Sequence, residues 1–200
     1  MGIRQVSDRL QRLKIAYSMH YIHLAFAFFH VVLPCLPAAV REATCPAATE
    51  ALNPALFTWS GQSAPLVVAV IVGSGMRLLA FAQLGKNFTF VITRPSGLIR
   101  SGLYAYMQHP SYTGLVVSIL SVCGLVLRPD GVPACWSHQS PTVQTLVSLI
   151  IAADWVFILI FLFRTFSMRV VKEEAFLRRN FGKEWEDYHF QTARFIPWLF

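Results

Sequence analysis

The chain has 200 residues, of which 55% are hydrophobic and only 14% charged, with a formal net charge of +7. That length suits one domain, but apolar residues in long runs exclude an ordinary soluble one. No basic segment interleaves aromatics as a nucleic-acid groove would, so the positive charge does not point to nucleic acid.

In chain order, residues 1–20 carry Arg4, Arg9, Arg12 and Lys14 among Ile3, Val6, Leu10, Leu13 and Tyr17 at helical spacing. This predicts an amphipathic segment lying on the cytosolic membrane surface. Four apolar stretches follow, at residues 21–40, 64–85, 112–127 and 142–166, the third one short. About 20 apolar residues suffice to cross a bilayer core of about 30 Å. Lipid leaves no water for backbone groups, so the spans must be helices packed on one another. Residues 33–40 are rich in Pro and Ala and loosely resemble a signal cleavage region, but the long charged preamble favours retention of the first span.

Lys and Arg gather before span one, between spans two and three (Lys86, Arg94, Arg100), and at and beyond the end of span four (Arg164 to Arg194). The other two loops hold only Arg41 and Arg128, with Glu42, Glu50 and Asp130 beside them. The positive-inside rule therefore puts both termini and the central loop in the cytosol. The loop at 41–63 carries Trp59 near its end, which suits an interfacial cap. Cys45 and Cys135 fall in the two lumenal loops, where either a disulfide or two free thiols is compatible with the sequence. The four cysteines lack metal-ligand spacing. His20, His23 and His30 in the first span have no carboxylate or thiol at matching positions, so no metal site is expected.

The stretch 87–111 is punctuated by Pro95, Gly97 and Gly102 and cannot be one helix. It leads into Gly102-Leu-Tyr104-Ala-Tyr-Met-Gln-His109-Pro110-Ser-Tyr112-Thr-Gly114. Proline lacks the backbone donor and biases its predecessor to extended geometry. His109 is thus held at a helix break, flanked by the phenols of Tyr104 and Tyr112, with Gly114 permitting close backbone approach. An interfacial histidine in an aromatic belt is the plainer reading of the same residues. Asn87-Phe-Thr89 is a formal glycosylation sequon; on this topology it faces the cytosol and stays bare.

Beyond the fourth span the helical pattern continues from 167 to about 181, ended by Gly182 as a C-cap, with a short helix through Trp185 and Tyr188 after it. Arg169 and Glu173 share a helix face, at the edge of the membrane on the same side as His109. Glu174 and Arg178 repeat the spacing and read as the solvated pair. Arg77 and Asp154 lie inside spans two and four, facing the bundle interior and able to pair with each other. The closing Pro197-Trp-Leu-Phe200 has no prenylation box, so the chain is not expected to be such a lipid-anchored substrate itself.

These blocks resemble the isoprenylcysteine carboxyl methyltransferase family. The likeness begins at Gly75-Met-Arg77, passes through Leu84-Gly85-Lys-Asn-Phe88-Thr89, and is strong over 102–114. It resumes over 169–188 and closes at Arg194-Phe-Ile-Pro197, covering more than half the chain. His-Pro-x-Tyr-x-Gly is shared with membrane phospholipid methyltransferases and sterol reductases. Joined to Glu-Glu-x-x-Leu-x-x-x-Phe-Gly and the Trp/Tyr pair, it becomes more specific.

The resemblance implies an all-α fold: a polytopic integral membrane helical bundle of about four to five transmembrane helices, with cytosolic C-terminal helices forming the cofactor pocket. It implies one methyltransferase domain over 1–200, with the amphipathic segment at 1–20, a first helical hairpin at 21–85 and a catalytic region at 86–200. The implied reaction is S-adenosylmethionine-dependent methylation of the C-terminal carboxylate of prenylated cysteine in CaaX-processed proteins at the endoplasmic reticulum membrane, with S-adenosylhomocysteine as product. Implied cofactor contacts are Ser96, Gly97, Leu98, Ile99, Tyr104, His109, Pro110, Ser111, Tyr112 and Glu173. Arg169 is the implied substrate contact and, with Glu173, catalytic; no metal is implied, and the partners are the prenylated cysteine and membrane lipids. Gln108 departs from the usual Arg, and Ser96 and Gly97 replace more polar residues, so contact there is expected through backbone. Phospholipid amine N-methylation on the same fold, or non-catalytic lipid binding, are the alternatives.

Overall fold

The computed structural model describes residues 21–46, 51–87, 97–138 and 140–197. Residues 1–20 with the expected amphipathic segment, Phe88 and Thr89 of the sequon, and Ser96 lie outside the described residues. Among the described residues the regular structure is helical, with an isolated parallel bridge between Met107 and Ala193. Two helices, Ala64–Asn87 and Pro141–Phe181, are long and apolar enough to cross a membrane, while Tyr21–Cys35 and Pro110–Val126 are shorter apolar helices.

The chain forms two compact units. One comprises the described residues up to Leu66 together with Val122–Ala152. Here α1 covers residues 21–32, a 3-10 turn follows at Leu33–Cys35, and α2 runs Ala38–Thr44. The expected continuous span over 21–40 is therefore broken. Leu36, between Pro34 and Pro37, is extended at ψ 142°, the geometry preferred before a proline. Cys45 and Cys135 form a disulfide across 90 residues of sequence, which resolves the alternative left by the sequence. Around it Leu33 packs with Phe29, Leu36, Leu52 and Phe57, and a short helix, α5, spans Ala134–Ser137. His30 Nε2 meets the Leu56 carbonyl at 3.2 Å and its ring stacks on Phe57 at 4.5 Å; this is a packed histidine rather than a ligand.

Asp130 ties the loops of this unit together. Arg128 donates to its two oxygens at 2.8 and 2.9 Å, and Asn53 Nδ2 donates at 2.8 Å. The Arg128 hydrogen bonds, opposed by burial and aided by Asn53, hold the Asp130 carboxyl down at about 2.

The other unit comprises Val67–Ser121 and Ala153–Phe200. It holds residues 67–84 of α3 (Ala64–Leu84), residues 110–121 of α4 (Pro110–Val126), residues 153–181 of the 41-residue helix α6 (Pro141–Phe181), and α7 (Lys183–Gln191). At 1.5 Å per residue α6 is roughly 60 Å long, about twice the hydrocarbon thickness. The fourth span and the expected helix beyond it are thus one uninterrupted rod. It stops where expected: Gly182 adopts φ +54°, and its N–H bonds the Arg178 carbonyl at 2.9 Å. A left-handed residue after a helix is the geometry glycine takes without a Cβ penalty.

Helices α3 and α4 cross at Gly73 and Gly114. A Cβ added at Gly114 would lie 2.4 Å from the Gly73 carbonyl oxygen, and one at Gly73 would lie 2.6 Å from that of Gly114. Small residues allow such backbone contact, where lipid offers little hydrophobic drive for helix association. Ser74 and Ser118 add a hydroxyl contact at 3.2 Å. This crossing fixes where the first turn of α4 sits against α3.

Candidate active site

Helix α4 starts at Pro110 because the residues before it are already committed elsewhere. The Gln108 and His109 amides donate to the carbonyls of Ala193 and Arg194 at 2.8 and 3.0 Å, drawing the C-terminal tail alongside. The His109 carbonyl accepts from Tyr112 and Thr113, and Pro110 opens the helix at a position where a missing donor costs nothing. His109 is consequently buried, with its ring 5.7 Å from both Tyr112 and Phe195.

Helix α6 brings the carboxylates. Arg169 Nε donates to Tyr112 Oη at 2.6 Å and to Glu173 Oε1 at 2.9 Å, and Tyr112 Oη donates to the same Glu173 oxygen at 2.5 Å. These two contacts fall on Nε, and the Arg169 side chain is 41% exposed. Glu173 Oε2 lies 3.9 Å from His109 Nδ1.

Glu174 corrects the sequence reading. Its expected partner Arg178 instead meets Glu186 at 2.8 Å, and the Glu174 side chain, 12% exposed, stands 3.4 Å from His109 Nε2 and 3.1 Å from Arg194 Nε. A carboxylate accepts only, so Nε2 carries the proton in that contact. Burial would raise the Glu174 carboxyl, but the His109 hydrogen bond and the Arg194 charge outweigh it and hold it below its ordinary value. The four-residue spacing to Arg178 was permissive; the helix face turned toward α4 decided the partner.

Gln108 is also explained by the tail. Buried, it donates from Nε2 to the carbonyls of His189 and Thr192 at 3.2 and 2.7 Å, and its Oε1 meets His189 Nδ1 at 2.8 Å. It fastens α7, whose Tyr188 hydroxyl donates to the Tyr104 carbonyl at 2.8 Å. Burial pushes Tyr188 up to about 12 and raises Tyr104 as well, so both phenols remain neutral donors near pH 7.

A cavity of about 460 Å³ opens among these elements, within the size range of small-molecule sites. Gly97, Leu98, Ile99, Tyr104, His109, Ser111, Tyr112, Arg169 and Glu173 all line it. Pro110 does not; it is fully buried at the start of α4. The cavity also takes in Arg77 and Phe81 from α3, Leu115 and Ile119 from α4, and Tyr188 from α7. From α6 come Leu162, Thr165, Phe166, Phe176 and Leu177. With Arg169 and Glu173 they form one stripe at three- and four-residue spacing, a helical pattern readable in the sequence. Arg77 was the other available signal, since an arginine inside a span marks a functional site by default. Its Nη1 donates to the Ser111 carbonyl at 3.1 Å and its guanidinium lies 4.7 Å from the Phe81 ring centre, so its hydrogen bond runs to the site rather than to Asp154.

The isoprenylcysteine carboxyl methyltransferase (ICMT) family model matches residues 66–138. A probable protein-S-isoprenylcysteine O-methyltransferase of Oryza sativa subsp. indica is 31% identical over 137 residues, covering 66% of this chain and 60% of the relative. The protein-S-isoprenylcysteine O-methyltransferase of Rattus norvegicus is 28% identical over 147 residues, 72% of this chain and 43% of its own. The chain is thus similar to the isoprenylcysteine carboxyl methyltransferase family over residues 66–138. It spans about 60% of the length of the rice relative and less than half of the rat one. The solved structure of the eukaryotic intramembrane Ras methyltransferase ICMT shares the fold, with a TM-score of 0.53 at 22% identity, over 91% of this chain and 53% of that one. The chain is thus a membrane protein of helical fold. Within the region that the family model matches lie Arg77 and the cavity-lining residues between Gly97 and Tyr112.

Proposed function

We propose that this chain transfers a methyl group from S-adenosylmethionine to the C-terminal carboxylate of prenylated cysteine in CaaX-processed proteins. The observation that carries the reading is the position of Arg169. A half-exposed guanidinium and an apolar stripe of α6 border the same cavity as the His109–Tyr112 turn. The names of the curated relatives support it.

The cavity fits the methyl donor in size and chemistry. Tyr104, His109, Ser111, Tyr112 and Glu173 would hold it, together with the backbone of 97–99. When bound, the donor supplies an electrophilic methyl on a sulfonium. The acceptor carboxylate is ionised at neutral pH, since a C-terminal carboxyl titrates at about 3.3 to 3.7. No base is therefore required of the protein, only alignment. Arg169 offers the acceptor a planar charged fork suited to a carboxylate. The Tyr112 and Glu173 contacts on Nε hold that guanidinium in place. Leu115, Ile119, Leu162 and Phe166 give the prenyl tail an apolar wall and exclude water from charges that neutralise each other as the ester forms. The tail enters laterally from the cytosolic leaflet.

The chain works as one methyltransferase domain with four to five spans in the endoplasmic reticulum membrane, its termini and site cytosolic. The distribution of Lys and Arg supports this orientation, as does a disulfide between the two loops assigned to the lumen.

One observation favours the rival, phospholipid amine N-methylation. Glu173 draws on the Arg169 charge, and Glu173 and Glu174 both stand near His109, which suits removal of an ammonium proton. Labelled S-adenosylmethionine offered with acetyl-farnesylcysteine or phosphatidylethanolamine separates the two. Label in the cysteine derivative supports the carboxylate reading; label in the lipid alone refutes it.

A further inference from the structure

We propose that the outward face of α6 just past its apolar stretch, carrying Arg164, Met168, Val171 and Lys172, is a binding surface for anionic phospholipid headgroups. This goes beyond the methyl-transfer reading and holds whatever the acceptor. Between Pro141 and Phe163 Asp154 is the sole charged residue, and from Arg164 onward charges recur to the end of the helix. At 1.5 Å per residue the apolar stretch rises about 34 Å, close to a bilayer core of about 30 Å. Arg164 therefore stands at headgroup level.

All four residues are exposed, Met168 and Val171 at 57% and 65%. With 3.6 residues per turn they share one side of the helix, within about 100° of one another. The stripe of Leu162, Phe166, Arg169 and Glu173 that lines the cavity occupies the opposite side. Among the described residues neither Arg164 nor Lys172 has an ion pair, whereas Arg169 has Glu173 and Arg178 has Glu186. Exposed apolar side chains set between unmatched cations form an interfacial pattern. The apolar groups enter the acyl boundary, and the stems of Lys and Arg lie over apolar surface while their charges reach the phosphates. Side chains on a helix lean toward its N-terminus, which for this part of α6 is the membrane. Lys172, two turns beyond Arg164, thus reaches back to the headgroups. Arg179, also exposed, extends the positive field along the same side. An acidic protein segment would meet the cations but leave Met168 and Val171 in water; an anionic lipid surface meets both.

The full chain carrying Met168→Trp, reconstituted in phosphatidylcholine vesicles, tests this through quenching of the added tryptophan by brominated lipid, with the unsubstituted chain as the fluorescence background. Trace brominated phosphatidylserine should quench it about fivefold more strongly than the same fraction of brominated phosphatidylcholine, the scale of one basic side chain at an anionic surface. Adding Arg164→Gln and Lys172→Gln should bring that ratio below about twofold. Adding Arg178→Gln instead, where the charge is already met by Glu186, should leave it within about twofold of its starting value. Raising salt from about 0.01 to about 1 M, which shortens the screening length from about 30 to about 3 Å, should also collapse the preference, and carries the test alone if the double glutamine variant does not fold. Equal quenching by the two lipids, or a preference that survives both the double substitution and high salt, overturns the proposal. Absence of quenching by either lipid, together with a dimer in sedimentation, also overturns it and assigns the face to a second copy of the chain.

Discussion

Replacing Arg169 with alanine removes the guanidinium while leaving the groups behind it largely in place. Tyr112 still donates to Glu173, since that 2.5 Å bond does not pass through the arginine. The lost ion pair is partly exposed, at 41% and 24%, so solvent screening limits its stability cost to roughly 0.5 kcal/mol, as for helix-surface pairs. The acceptor side changes far more. Two charge-assisted hydrogen bonds to a carboxylate are together worth about 3 to 5 kcal/mol, and each 1.4 kcal/mol is a factor of about ten. The Arg169→Ala variant should therefore lose at least about 100-fold in kcat/KM toward acetyl-farnesylcysteine, while its affinity for S-adenosylhomocysteine changes by less than about threefold. Initial rates with labelled donor and calorimetry in nanodiscs measure the two quantities separately. Equal loss of both, or a kcat/KM within about threefold of wild type, would refute the assignment of Arg169 to the acceptor.

The donor side responds in the opposite order. Glu173→Ala and His109→Ala should weaken S-adenosylhomocysteine binding by about tenfold or more, seen by titration before any effect on acceptor affinity; unchanged donor affinity would remove both residues from that site. Gly114→Leu forces side-chain atoms into the 2.4 Å space against the Gly73 carbonyl and should lower the apparent Tm in detergent by several degrees, whereas Gly124→Leu, where an added Cβ is 3.4 Å from the Leu66 side chain, should cost less. Asp130 gives a pH signature. Its carboxyl is about 2 in the folded chain against an ordinary 3.8, so its contribution to stability is complete above about pH 4 and lost as the pH falls through about 2. The stability difference between wild type and Asp130→Asn, followed by chemical unfolding, should shrink across that window; a constant difference would contradict the Arg128 pairing.

Local rules made part of this site legible. His109-Pro110 announced a helix start because proline cannot continue the preceding turn, and Gly182 announced a helix end for a comparable reason. The 169/173 spacing announced a shared face, and the pair indeed meets. What local rules missed depends on segments distant in sequence. Glu174 could not be assigned from its neighbours, because its partners are His109 just before α4, 65 residues away, and Arg194 of the tail, 20 residues on. Gln108 read as a departure from a family pattern until His189 and Thr192 arrived beside it. The run over 21–40 looked like one span by hydropathy, yet two prolines three residues apart outweigh composition and break it. Arg77 was conspicuous in the sequence, but only the crossing of α3 over α4 shows what it faces.

The account stands or falls on the atom that receives the methyl group. The purified chain should be incubated with methyl-labelled S-adenosylmethionine, acetyl-farnesylcysteine and phosphatidylethanolamine together, and the product treated with base. An ester at the cysteine carboxylate releases its label as volatile methanol, and that is the predicted result. Base-stable label on the lipid amine, with none released from the cysteine derivative, would contradict it.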